Sequence, residues 1–194
     1  MNIKDFSGKV IIFSAPSGAG KTSIVHSLLK RNMNLEFSVS ACTRNKRNNE
    51  IHGKDYYFIS VDDFKKKIIE NEFIEWEEVY SNNYYGTMKN EIQRIWNNKN
   101  HVLFDVDVEG GINLKTHFKD KALSIFISPP SIEELRQRLF LRDSENENDL
   151  KKRINKAKKE LEYMNEFDKV IMNDILDDAC KEAASLIRNF LNKG

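Results

Sequence analysis

The chain has 194 residues, and its 31 basic and 30 acidic side chains leave a formal net charge of only +1 at pH 7. This length supports one hydrophobic core with small appended subdomains, so we expect a single domain. The near-neutral charge excludes the broad positive field of a protein that binds DNA or an acidic membrane. We therefore expect no nucleic-acid partner and no membrane partner.

Four short apolar segments separated by helical patterns predict a mainly parallel sheet with helices on both faces, hence an α/β protein. The predicted strands are Val10–Ser14, Val102–Asp107, Ala122–Ser128 and Lys169–Met172. Beyond the first helix, apolar residues at helical spacing predict three more helices, which contain Ile132–Leu139, Leu150–Leu161 and Ala179–Phe190.

The segment between the first predicted strand and its helix reads Ala-Pro-Ser-Gly-Ala-Gly-Lys-Thr. This order is typical of a loop that binds the phosphates of a nucleoside triphosphate, because glycines let several backbone N–H groups surround one anion. Ala15 replaces the usual first glycine, which is acceptable if its φ is negative. A glycine-rich turn capping an ordinary helix is the disfavoured alternative. The residues predicted to bind the triphosphate are Ala15, Pro16, Ser17, Gly18, Ala19, Gly20, Lys21 and Thr22.

Between Leu35 and Gly86 the pattern changes to short alternating segments around one helix, which predicts a small mixed sheet inserted into the core. The expected segments are Phe37–Ser40, Tyr56–Ile59 and Phe73–Trp76, with the helix at Val61–Glu70. A second, polar insertion is predicted at Asp143–Asn148, and we expect it to be mobile.

The first insertion carries two arginines three residues apart, then a glutamate, a glycine and a tyrosine: Arg44, Arg47, Glu50, Gly53 and Tyr56. At this spacing the segment resembles the guanylate kinase family. The resemblance continues over nearly the whole chain, at Ser38–Ser40, Phe73–Trp76, Asn83–Thr87, Asp105–Gly110, Pro129–Ser131 and Val170–Asp174. The minor departures are Ala15, Cys42, Lys46, Glu109 and one extra residue around Tyr80–Asn82.

The resemblance implies a three-layer P-loop fold and transfer of the γ-phosphoryl group of ATP to GMP, and also to dGMP, giving ADP and GDP. It divides the single domain into a core of residues 1–34, 88–137 and 157–194, a GMP-binding subdomain of residues 35–87 and a lid of residues 138–156. Mg²⁺ is the implied cofactor, with Thr22 binding it directly and Asp105 through water. For Asp105, a simple role as a strand-end cap is an equal alternative.

For the acceptor, the resemblance implies that arginine and tyrosine side chains bind the phosphate of GMP: Arg44, Arg47, Tyr56 and Tyr85. Carboxylates and hydroxyls would recognise guanine: Ser40, Glu75, Thr87 and Asp107. Carboxylates accept from the N–H groups of guanine, whereas adenine would leave them unpaired. Without the flanking motif, a solvated basic loop would be the favoured interpretation of the two arginines, and Glu75 could equally be an outward residue on a strand.

The resemblance also implies a catalytic set of four cationic side chains, Lys21, Arg138, Arg142 and Arg153, with Asn173 near the adenine of ATP. The two rival functions are a non-catalytic guanylate-kinase-like interaction module and a kinase for another nucleoside monophosphate. The first typically has a degraded phosphate loop, and the second would not need the acceptor motif. We expect a cytoplasmic protein, because no apolar segment spans a membrane and no signal peptide is recognised. A homodimer is left open.

Overall fold

The computed structural model describes residues 8–142 and 147–193. The strands in these ranges are β1 (Val10–Ser14), β2 (Leu35–Phe37), β3 (Ala41–Cys42), β4 (Tyr57–Phe58), β5 (Phe73–Tyr80), β6 (Asn83–Met88), β7 (His101–Asp105), β8 (Ala122–Ser128) and β9 (Lys169–Met172). The helices are α1 (Lys21–Leu29), α2 (Val61–Ile69), α3 (Lys89–Asn97), α4 (Val108–Phe118), α5 (Ile132–Arg142), α6 (Glu147–Glu162) and α7 (Leu176–Leu191).

The larger sheet has five strands in the order β2-β7-β1-β8-β9. Strands β1 and β8 pair in parallel, as do β8 and β9. All five residues of β1 are buried, the pattern of a parallel strand covered on both faces. Helices α1 and α7 pack against each other beside this sheet. The expected α/β class with a mainly parallel core sheet is confirmed.

Strand β7 ends at Asp105, two residues earlier than the sequence predicted. The reason is the start of α4, because the Asp107 side chain caps this helix and accepts a hydrogen bond from the backbone N–H of Gly110 at 2.8 Å. An aspartate in this position satisfies an N–H group that the helix leaves unpaired. Val106 and Asp107 therefore form the link from strand to helix.

Backbone contacts divide the chain into two compact units. The smaller consists mainly of Glu36–Val102, and the larger of Lys9–Leu35 and Leu103–Gly194. The smaller unit contains a four-stranded mixed sheet in the order β4-β3-β6-β5, in which β3 and β4 are parallel and the other pairs antiparallel. The small mixed sheet expected in the inserted region is thus present.

One face of the four-stranded sheet is apolar and packs against α2. Its buried side chains form one cluster, in which the rings of Phe64 and Phe73 stack at 4.4 Å. The cluster contains Ala41, Phe64, Phe73, Tyr84 and Met88. Helix α2 is capped by the preceding residue, Ser60, whose hydroxyl accepts from the backbone N–H of Asp63 at 3.0 Å. The opposite face is left for polar residues.

Two predicted segments differ from the structure. The expected strand Phe37–Ser40 is wrong, because the strand is β2 (Leu35–Phe37), which belongs to the five-stranded sheet, and Ser38–Ser40 is a connection. Strand β5 continues to Tyr80 and forms a hairpin with β6, which was not predicted as a strand. Asn82, in the hairpin loop, has a φ of 60°, a conformation that asparagine tolerates.

No helix among the described residues has both the length and the apolar composition needed to cross a bilayer.

Candidate active site

The loop between β1 and α1 has the backbone conformation of an anion-binding loop. Gly18 has a φ of 91° and Gly20 a φ of 89°, both in the region that other residues rarely adopt. The φ of Ala15 is not positive, so the missing first glycine causes no strain. Gly20 caps α1, so the unpaired N–H groups and the positive dipole end of this helix are available to an anion.

Both glycines are also closely packed from outside the loop. A Cβ atom on Gly18 would lie 2.9 Å from a methyl group of Leu139, and one on Gly20 would lie 2.2 Å from the side-chain nitrogen of Asn173. This nitrogen donates to the carbonyl oxygen of Ala19 at 2.7 Å, and Asn173 is buried. The contact that the structure assigns to Asn173 is therefore support of the loop backbone, while its predicted contact with adenine stays a prediction.

Lys21 and Thr22 both contact Asp105, the last residue of β7. The Lys21 ammonium forms an ion pair with one oxygen of this carboxylate and donates to the carbonyl of Val106. The Thr22 hydroxyl donates to the other carboxylate oxygen at 3.1 Å. The structure thus brings together the residues that were predicted to bind the terminal phosphates and Mg²⁺.

Asp107 already has a structural role as the cap of α4. Its carbonyl oxygen accepts from the Ser14 hydroxyl at 2.8 Å, so the link is also fastened to the end of β1. Gly111 is required nearby, because a Cβ atom there would lie 2.2 Å from the Ser14 hydroxyl. Recognition of guanine by Asp107 stays a prediction.

Arg138 is the predicted lid arginine with the most closely defined contacts. Its Nε donates to Glu134 at 2.9 Å, and its guanidinium also donates to the carbonyl of Asn173 at 3.0 Å. Arg138 therefore contacts Asn173, and the Asn173 side chain in turn contacts the loop at Ala19. Arg153 is on α6 and half-buried. The side chain of Arg142 and residues 143–146, which include most of the insertion expected to be mobile, lie outside the described residues.

The polar face of the four-stranded sheet carries the predicted acceptor residues of β5 and β6. Glu75 pairs with Thr87, and Glu77 with Tyr85, in the register of the hairpin. Because side chains alternate between faces, these four residues lie on one face, opposite Tyr84 and the apolar cluster. Glu75 is therefore directed to the face of Tyr85 and Thr87.

Arg44 is held on the same face by a carboxylate and three aromatic rings. Its two terminal nitrogens donate to the two oxygens of Glu50 at 2.7 and 2.5 Å. The guanidinium carbon lies 5.0 Å from the centre of the Tyr56 ring and 5.5 Å from that of Phe58. The Tyr56 and Tyr85 rings meet edge to face at 5.9 Å. Arg44 is only 18% exposed, so it is not the solvated surface residue of the alternative interpretation.

The electrostatics of this cluster follow from the paired charges. The hydrogen bonds from Arg44 lower the pKa of Glu50 to about 2, and the same pair raises the pKa of Arg44 further above its ordinary value. Burial raises the pKa of Tyr85, so its phenol stays a protonated hydrogen-bond donor. One fixed cation and two phenols thus converge, a combination suited to phosphate oxygens.

Two other predicted residues are less constrained. Arg47 is exposed, and the hydrogen bonds defined for it involve its backbone, whose N–H donates to the Glu50 carboxylate at 2.8 Å. Ser40 is half-buried in the connection that precedes β3. Their roles toward an acceptor stay predictions.

The Thr87 hydroxyl is buried and has no hydrogen-bond partner within the described part of the chain. Leaving such a group without a hydrogen bond costs about 1 to 3 kcal/mol. The Thr87 hydroxyl is therefore available to donate a hydrogen bond to a ligand. A base with an oxygen at this position would restore the bond.

Sequence reasoning noted Glu50 only as part of a motif and missed its function as the partner of Arg44. The available signal was its spacing, since Glu50 follows Arg47 by three residues and a turn joins the Glu50 N–H to the Arg47 carbonyl at 3.1 Å. The support of the loop by Asn173 had no local signal, because the two segments are 154 residues apart.

Known proteins resemble this chain over nearly its whole length. A family model described as guanylate kinase matches residues 7–190. The chain is 47% identical to a guanylate kinase of Bacteroides thetaiotaomicron, over 99% of this chain and 94% of the relative. It is 46% identical to one of Porphyromonas gingivalis, over 95% and 99% of the two chains. A crystal structure of guanylate kinase from Anaplasma phagocytophilum superposes with a TM-score of 0.78 at 28% identity, covering 97% of this chain and 88% of that one. The chain belongs to the guanylate kinase family.

Proposed function

We propose that this protein transfers the γ-phosphoryl group of ATP to GMP, giving ADP and GDP, and that it also accepts dGMP. The observation that carries this proposal is the polar face of the small sheet. There a half-buried, ion-paired arginine and two tyrosines lie beside a glutamate and an unpartnered buried threonine hydroxyl. A phosphate and a guanine base together supply what these groups need.

The donor side of the proposal uses the loop of the larger unit. Its N–H groups and the Lys21 ammonium neutralise the β- and γ-phosphates of ATP, and the ammonium leaves Asp105 to do so. Lys21 would thus exchange the carboxylate of Asp105 for the phosphates of ATP, so that its ammonium group always has an anionic partner. Arg138, Arg142 and Arg153 would add positive charge around the transferring group.

The residues at the end of β7 fit a magnesium ion that arrives with ATP. A hydroxyl and a carboxylate oxygen lie 3.1 Å apart at Thr22 and Asp105, and hard oxygen ligands with open positions for water and phosphate are what Mg²⁺ prefers. Thr22 would bind the ion directly and Asp105 through water. When bound, the ion neutralises charge on the β- and γ-phosphates.

No general base is needed on the acceptor side. The phosphate of a nucleoside monophosphate has its second pKa near about 6, so it is already a nucleophilic dianion at neutral pH. The chemical problem is to bring two anions together in line and to keep water out, which is a matter of positioning and charge. We propose that the acceptor unit and the lid close only when both nucleotides are bound.

The experiment is a coupled assay of ADP formation with ATP and Mg²⁺ and with GMP, dGMP, AMP, CMP or UMP as acceptor. GMP is expected to be preferred over AMP by about 10⁴-fold or more, because adenine leaves buried polar groups unpaired. A preference for AMP would refute the roles of Glu75 and Asp107. Absence of turnover with every acceptor, in a protein that still binds GMP, would favour a binding module.

We also propose that the protein works in the cytoplasm. Its two cysteines, Cys42 and Cys180, are both buried and unbridged, as suits a reducing compartment. Burial raises the pKa of Cys42 to about 11, which keeps this thiol protonated and unreactive.

Sedimentation analysis would decide between a monomer and a homodimer.

A further inference from the structure

Glu91, in the first turn of α3, is a buried carboxylate. It is 2% exposed, and among the described residues it is the one charged side chain that is buried to this degree. An exposed acidic side chain in the first turn would already interact favourably with the helix dipole, so this interaction does not explain why Glu91 is buried. Burying a charge costs several kcal/mol unless it is fully paired, so its partners define its role.

Both oxygens of Glu91 are fully used. One accepts from the backbone N–H of Val39 at 3.0 Å, and the other from the phenol of Tyr57 at 3.1 Å. Arg94 donates to both oxygens, at 2.9 and 3.0 Å, and so supplies a charged partner to the buried carboxylate. Burial and the charge of Glu91 raise the pKa of Tyr57, which therefore remains a donor.

The groups that Glu91 holds are direct neighbours of the predicted acceptor residues. Val39 immediately precedes Ser40, and Tyr57 immediately follows Tyr56. Because neighbouring side chains of a strand point to opposite faces, the bond to Tyr57 fixes the segment that presents Tyr56 on the polar face. Glu91 itself lies four residues after Thr87.

Arg94 extends the pairing to Glu36, the residue at which the chain enters the smaller unit. Glu36 also accepts from the side-chain amide of Asn100 at 2.7 Å and from that of Asn98 at 3.2 Å. Glu36, Asn98 and Asn100 therefore hold Arg94 in place against Glu91, and these residues lie near the two ends of the smaller unit.

We propose that Glu91 is a positioning residue for the acceptor: it sets the spacing of the three segments that carry Ser40, Tyr56 and Thr87. The proposal rests on the proposed function. Glu91 would act by fixing positions, because its carboxylate joins three segments that are separate in sequence: the connection before β3, strand β4 and helix α3. Tyr57, Glu91 and Arg94 line a cavity of about 490 Å³, so water can reach the groups that a substitution leaves unpaired.

The test compares Glu91→Gln with the parent protein in steady-state kinetics. Glutamine has the same size, but its amide nitrogen cannot accept, so either Val39 or Tyr57 loses its acceptor and the Arg94 fork is mismatched. The KM for GMP is expected to rise about five- to tenfold, with kcat changed less than about twofold and the KM for ATP unchanged. Tyr57→Phe, which removes one donor and leaves the charge intact, should raise the KM for GMP by a smaller factor.

The matched control is Asp62→Asn, which removes an exposed acid from the first turn of α2 in the same unit. It should change neither KM. If Glu91→Gln lowers the melting temperature while the KM for GMP stays at the parent value, the role is only structural and the positioning proposal is wrong. Calorimetric binding of GMP to the parent separates the two proposals: a parent that neither binds nor phosphorylates GMP overturns the proposed function, and the inference with it.

Discussion

The two proposed phosphate-binding regions are built by different means. In the larger unit, eight consecutive residues form a loop whose backbone N–H groups and helix terminus carry the anion site. In the smaller unit, side chains from β5, β6 and the Arg44–Glu50 segment converge on one face of a sheet. A backbone site depends on φ angles and close packing, whereas a side-chain site depends on register and on neighbours that hold each group in place.

The largest effect is expected from Lys21→Ala. Removal of the ammonium takes away charge stabilisation on the donor side, so kcat should fall by about 10²- to 10³-fold. Calorimetric GMP binding without ATP should remain within about twofold of the parent, because the predicted phosphate-binding residues Arg44, Tyr56 and Tyr85 are in the other unit. Lys30→Ala, at the exposed end of the same helix, is the control. Equal loss of turnover in both variants would contradict a specific role for Lys21.

The next largest effect is expected from Arg44→Ala. Loss of a charge-assisted pair of hydrogen bonds to phosphate should weaken GMP binding by about 10- to 100-fold and leave the KM for ATP unchanged. The measurement is GMP titration by calorimetry. Lys46→Ala is the matched control, because this exposed lysine carries the same charge in the same loop. If the two variants weaken binding equally, the loop acts only as a diffuse positive patch.

A smaller effect is expected from Glu50→Gln, which loosens Arg44 without removing it. GMP affinity should fall about three- to tenfold. Because the folded-state pKa of Glu50 is lowered to about 2, its ion pair stabilises the parent above the unfolded pKa of about 4.3, and this contribution is lost as the pH falls toward 2. Urea unfolding between pH 5 and pH 3 should therefore show a shallower decline in the variant. An identical decline in both proteins would mean that the pair contributes no stability.

The smallest effect, and the one with opposite signs in stability and binding, is expected from Thr87→Val. Valine keeps the shape and removes a buried hydroxyl without a partner, so the free energy of unfolding should rise by about 1 kcal/mol. The KM for GMP should nevertheless rise a few-fold, because guanine loses a donor. Thermal unfolding and steady-state kinetics together test this. A less stable variant would show that the hydroxyl is already satisfied in the free protein.

The difference between the two regions also explains what the sequence could predict. Strands β1, β8 and β9 match their predicted bounds. Strands β1 and β8 are buried parallel strands, which are continuous apolar runs with clear ends. Strand β9 is mostly exposed, and its bounds were marked by the short apolar run Val170–Met172. The loop was recognisable because its residues are contiguous. The acceptor residues could be named only through the family resemblance, since their relation depends on strand register rather than on local order.

Strand β6 was missed for a physical reason. Tyr84 packs toward α2, with its ring 5.4 Å from that of Phe64, whereas Tyr85 faces Arg44. Aromatic residues are needed on both faces of this strand, so the alternation of apolar and polar residues that marks a half-buried strand is absent. The burial of Glu91 was also unpredictable, because a glutamate in the first turn of a helix is normally exposed and needs no partner.

The hydrogen bond between Asn173 and Ala19 has a consequence for motion. It joins the residue after the last strand of the sheet to the loop that is proposed to hold ATP. Ordering of the loop by a nucleotide should therefore slow amide hydrogen exchange at the carboxyl end of β9, although no atom of that strand is proposed to touch the ligand. Truncation of this one side chain to alanine would disconnect the two segments and confine the protection to the loop.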